Sequence, residues 1–164
     1  MKISENFKSS EWLDKEVINF CNARGLDHRK FINPRLVHIA EFYKKFFREY
    51  FRSMDPNVID VLIIINKRGV SGRGLRGPDY KGKGAKYSQH KFLQAFDCDI
   101  VIVYENGDMQ EADYEMIHQI IMTFEEEFMA EGVTTLEDPE YATTWLHTSI
   151  EWVPDQKHIQ IVKP

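Results

Sequence analysis

Apolar residues recur along this chain at spacings that divide it into helices and strands. Trp12, Leu13, Val17 and Phe20 can face inward from a first helix over residues 9 to 22, with Ser9 or Ser10 as its cap. Asn22 to Lys30 is polar and turn-like. Pro34 suits the first turn of a second helix, where Leu36, Ile39, Tyr43, Phe46 and Tyr50 fall three and four apart and predict an amphipathic helix ending near Arg52. Asp55-Pro56-Asn57 is a turn, and the β-branched content of Val58 to Asn66 predicts a buried strand. Gly69 to Lys86 has no period and too much glycine for an element interior, so a long loop is expected.

Asp97 to Tyr104 predicts a second strand, followed by an Asn106-Gly107 turn. Asp113 caps a helix to about Ala130, with Tyr114, Ile117, Ile121, Phe124 and Phe128 on one face and Gly132 as its stop. An acidic turn is expected around Leu136 to Tyr141, then strands over Thr143 to Val153 and His158 to Val162. The order predicts a single α+β domain over residues 1–164, with helices packed on a mainly antiparallel sheet.

Composition narrows the function classes. At 164 residues with 43% hydrophobic and 29% charged residues, the chain can bury a core. Its longest apolar run, Val61 to Ile65, is far short of the roughly 20 residues a membrane span needs. The opening MKISENFKSSEW has no apolar signal core, so synthesis in the cytoplasm is expected. Cys21 and Cys98 read as small buried hydrophobes in a reducing compartment.

Charge is unevenly spread. The net charge is −5, yet Lys67 to Lys91 holds eight basic residues, one acid and six of the nine glycines. A basic glycine-rich loop in an acidic chain suits an anionic ligand. Nucleic acid is a poor candidate, because the balance is acidic and the loop carries only Tyr80 and Tyr87 for base stacking. Gly72 to Gly77 matches G-x-G-x-x-G, but Pro78, Gly82 and Gly84 follow at once and no helix can open there to hold a pyrophosphate.

His90 and Asp97 stand seven apart, and His147 lies far downstream. Two imidazoles and a carboxylate are a ligand set typical of catalytic zinc, with a fourth position left for water. Structural histidines outnumber ligands in proteins, so these residue types alone leave the metal reading open.

The surrounding residues sharpen it. Ser88-Gln89-His90-Lys91-Phe92-Leu93-Gln94-Ala95-Phe96-Asp97 resembles the S-x-H-x-x-G-x-A-x-D signature of the zinc D-Ala-D-Ala carboxypeptidases. That family includes phage endolysins and shares its fold with the hedgehog signalling domain. Ser71-Gly72 with Arg76-Gly77-Pro78-Asp79-Tyr80 is similar to its S-G-Y-R-S-P-x-Y segment, with two extra residues before the arginine. Gly84-Ala85-Lys86-Tyr87-Ser88, Asn6-Phe7-Lys8-Ser9-Ser10-Glu11-Trp12 and Trp145-Leu146-His147 resemble three further family segments, in order. The resemblance implies a hedgehog/D-Ala-D-Ala peptidase-like fold and zinc held by His90, Asp97 and His147. It implies Arg76 as the guanidinium that binds a substrate carboxylate or polarises its carbonyl, and Ser88 as an orienting hydroxyl. The implied reaction is hydrolysis of a cell-wall peptide bond by metal-activated water, with a peptidoglycan peptide or other anionic peptide terminus as partner. A phage lysis protein or a virion-associated one fits that reaction.

Three positions depart from the family pattern. Leu93 replaces the signature glycine, and Thr144 stands three residues before His147, where the family carries an acid as general base. Ser149 also replaces a carboxylate commonly found two residues after that histidine. Glu140, Glu137, Asp138 and Glu151 are the acids able to substitute, with Glu140 preferred because a loop can fold it over the metal. A metal-binding module of the same fold without hydrolytic power is the alternative function.

Overall fold

A computed structural model describes residues 2–66, 73–76, 89–151 and 155–163. Ser88 and most of the expected 69–86 loop lie outside the described residues.

Among these residues are four α-helices and a six-stranded sheet. The helices are α1 (Lys15–Ala23), α2 (Pro34–Met54), α3 (Tyr114–Thr123) and α4 (Glu125–Ala130). The strands are β1 (Val58–Ile64), β2 (Ala95–Tyr104), β3 (Met109–Glu111), β4 (Thr135–Glu137), β5 (Leu146–Ser149) and β6 (Gln160–Val162). The sheet runs β1-β2-β5-β4-β6, and β3 pairs with the second half of β2. All pairings are antiparallel except β4 with β6. The α+β class with a mainly antiparallel sheet is therefore observed. No helix among the described residues is long and apolar enough to cross a membrane.

Helix α2 is the main support of the sheet. Asn33 caps it through Arg35 N–H, Pro34 opens it, and Leu36, Ile39, Tyr43, Phe47 and Phe51 are buried along it. These pack with Phe96, Ile100, Leu136 and Leu146 from the core face of the sheet and with Phe128 from α4. Within this apolar layer the Tyr43 hydroxyl meets Thr148 Oγ1 at 2.9 Å, so two buried polar groups satisfy each other.

The expected elements shift in four places. The first helix does not run from Ser9: a short 3-10 turn covers Ser9–Glu11 and α1 begins at Lys15. Between them Leu13 bridges Leu75, and Trp12 O accepts Leu75 N–H at 2.7 Å, so this backbone is drawn out of the helix to pair with another segment. Phe20 is exposed rather than inward. The third expected helix is broken at Phe124, where Thr123 Oγ1 bonds back to Gln119 O and three glutamates open the next turn. The acidic turn begins within a strand, because Thr135–Glu137 pairs with both β5 and β6 before the chain turns. Of the described residues in the expected strand over 143–153, Leu146–Ser149 are strand, and β3 was unanticipated. Gly132, at φ +101°, ends α4 as expected. Cys21 and Cys98 are buried free thiols.

His118 on α3 is buried, and its Nε2 has no hydrogen-bond partner among the described residues. Burial pushes its imidazole below the ordinary 6.5, against an upward pull from Asp138. Above that ordinary value both folded and unfolded chains are neutral here. As pH falls below it the unfolded chain takes the proton first, so folding weakens. In urea titrations at about pH 7.5 and about pH 5, wild type should lose more stability on acidification than His118→Gln; equal losses would contradict this reading.

Candidate metal centre

The site stands on the sheet face opposite the α2 core. Strands β2 and β5 pair Asp97 directly with His147, which sets both side chains on one face. The intervening core face presents Phe96, Cys98, Leu146 and Thr148, all fully buried. His90 arrives from a 3-10 turn over Gln89–Phe92, immediately before β2. Leu93 then reverses the chain with φ +60°, the left-handed conformation that glycine adopts without penalty. An L side chain in this conformation costs about 1–2 kcal/mol. Asn33 Nδ2–H donates to Leu93 O at 2.8 Å and fixes this turn to the start of α2.

The three side chains converge. His147 Nδ1 lies 2.7 Å from Asp97 Oδ1, and His90 Nε2 lies 3.3 Å from the same oxygen. One ligand atom from each of His90, Asp97 and His147 lies within 4.8 Å of the others. His90 Nδ1 donates to Gly74 O at 3.0 Å, which directs the other ring nitrogen, Nε2, at the group. Burial works to raise the Asp97 carboxyl, but the adjacent His90 and His147 outweigh it and hold the group well below the usual carboxylate range. The chemistry of this donor set fits a divalent ion, and the group can hold one.

Residues 73–76 form a strap across the site. Arg73 O accepts Asp97 N–H at 2.7 Å, and Arg76 N–H donates to His90 O at 3.3 Å. The strap is anchored by a buried ion pair between Arg73 and Asp99. Its far edge is held against Trp12 by the Leu75 N–H bond to Trp12 O. Gly74 is obligatory there, since a Cβ would lie 2.1 Å from Trp12 O. Arg76 Nη2 lies 3.5 Å from Asp97 Oδ2, so the arginine singled out in the sequence is brought to the centre.

Other expected residues fall elsewhere. Glu140 is exposed in the turn after β4, its N–H bonded to Asp138 Oδ1. Thr144 is also exposed. Ser149 is buried one row behind His147, where a carboxylate would be desolvated. His158 pairs with Glu125 at 3.1 Å, and His38 pairs with Glu131. His28, in the polar segment before α2, is half-buried and meets Ser9 Oγ at 3.0 Å. Sequence reasoning missed the Arg73–Asp99 anchor. Its signal was present: an acid two positions after Asp97 in an otherwise apolar strand must face the same side as that ligand.

No protein-family model, curated protein or solved structure matches this chain.

Gly74→Ala should force the strap off Trp12. We expect a loss of about 1–3 kcal/mol in stability and metal affinity at least about tenfold weaker, since the His90 support moves. Denaturant titration and metal-competition titration read these two effects; unchanged metal affinity would contradict the strap's role.

Proposed function

We propose that this chain is a zinc-dependent peptidase, similar in fold and centre to the D-Ala-D-Ala carboxypeptidases, acting on peptide bonds of bacterial cell-wall peptides. The observation that carries this reading is the convergence of His90, Asp97 and His147 on one sheet face. Two imidazoles and one carboxylate suit zinc and leave a coordination position for a reactant. When bound, such an ion lowers the pKa of coordinated water towards about 7 and polarises a carbonyl.

The chain's own residues do the rest. Gly74 O accepts from His90 Nδ1–H and so turns Nε2 towards the centre, and Asp97 is held ionised there. Arg76 offers a planar, permanently charged donor group beside Asp97. A free peptide carboxylate would be drawn to it, and the basic 67–91 segment supports an anionic substrate. Wall peptides as substrates suit a phage lysis or virion-associated setting. A second reading, a metal-binding module without hydrolytic power, is favoured by one observation: Thr144, at the position where the resembled family has an acid, is exposed and offers no base.

Protein purified without added metal should carry about one zinc per chain, and His90→Ala should lose most of it. Muropeptides ending in D-alanine should be hydrolysed by wild type at a rate abolished by chelation. Zinc bound without turnover of any wall peptide would favour the non-hydrolytic module. Full metal content in His90→Ala would remove the ligand assignment.

A further inference from the structure

A hydrolytic centre of this kind needs a carboxylate to take a proton from the attacking water, and the sheet register points to one. Strand β5 lies between β2 and β4. Phe96, Thr148 and Leu136 form one cross-strand row, turned to the core. Ala95, Ser149 and Thr135 form the adjacent row on the opposite face. In the next row on that face Asp97 pairs with His147. Continuing the β4–β5 register by one residue sets Glu137, the last residue of β4, on the other side of His147. Alternation along the strands then gives Asp97, His147 and Glu137 the same face.

Neighbouring strands stand about 4.8 Å apart, a gap that a glutamate side chain spans. Glu137 is half-buried, and its carboxylate makes no hydrogen bond or ion pair with the described residues. The other acids nearby are committed or remote. Asp138 accepts the Glu140 N–H and lies 3.8 Å from Lys163. Glu140 is exposed in the following turn, and Glu151 lies beyond the end of β5.

We propose that Glu137, not Glu140, is the proton-accepting carboxylate of this centre. The proposal rests on the metal reading of His90, Asp97 and His147. Glu137 takes a proton from water as the water oxygen bonds to the peptide carbonyl carbon. The C–N bond then breaks, and the proton passes from Glu137 to the departing amine. The second water proton leaves the new carboxyl group for the same amine, so the balance is peptide plus water giving a carboxylate and an ammonium group.

The first test needs no turnover. Cobalt(II)-loaded wild type, Glu137→Gln and Glu140→Gln are titrated with azide and followed by the cobalt absorption bands. Removing a negative charge beside the open position should tighten azide binding about threefold or more in Glu137→Gln and leave Glu140→Gln unchanged. Glu137→Ala removes the same charge, should tighten azide binding to a similar degree, and serves if the glutamine variant does not fold. With peptide substrate, Glu137→Gln should lower kcat by about a hundredfold or more with KM little changed. Unaltered azide affinity and kcat in Glu137→Gln, or a shift in Glu140→Gln alone, would overturn the assignment. Failure of wild type to bind cobalt would instead remove the metal reading on which it rests.

Discussion

The structure depends on holding one buried carboxylate between two imidazoles. Asp97 is nine-tenths buried on the sheet, where an isolated charge would be costly. It is tolerated because His147 stands directly opposite on β5 and His90 leans in from the turn before β2. That arrangement constrains everything around it. The β2–β5 register cannot slip by one residue, since a slip would turn either Asp97 or His147 into the aromatic core and part the two side chains.

Two layers of support follow from that constraint. On the core side, α2 and α4 supply Tyr43, Phe47 and Phe128, and the Tyr43–Thr148 hydrogen bond ties α2 to the strand that carries His147. On the site side, the 73–76 strap contributes carbonyls to Asp97 N–H and to His90 Nδ1, and the buried Arg73–Asp99 pair anchors it. The strap's other edge rests on Trp12, which explains why the chain near the N-terminus leaves its helix to form a bridge there. The supports of the centre thus come from segments far apart in sequence. A set of this kind orients ligands and tunes their basicity as much as the ligands themselves do.

Much of this was legible in the sequence. The period of α2, the β-branched runs of β1 and β2, and the Asp113 cap of α3 each predicted an element that is present. The grouping of His90, Asp97 and His147 was legible through residue types and their surroundings. What escaped was non-local. Thr135–Glu137 looks like the start of an acidic turn because only pairing with β5 and β6 makes it a strand. The break of the first helix at Leu13 depends on Leu75, more than sixty residues away. Leu93 takes a left-handed backbone conformation that glycine adopts more readily, a fact set by φ and invisible in the side chain's identity. The proposed place of Glu137 beside His147 can be argued only once the β4–β5 and β2–β5 registers are known.

The central claim is that His90, Asp97 and His147 ligate one ion together. X-ray absorption at the zinc edge of the loaded protein tests it most directly. The account predicts a first shell of nitrogen and oxygen at about 2.0–2.1 Å with the outer-shell scattering of two imidazoles. A shell containing sulfur at about 2.3 Å, or one without imidazole scattering, would contradict it.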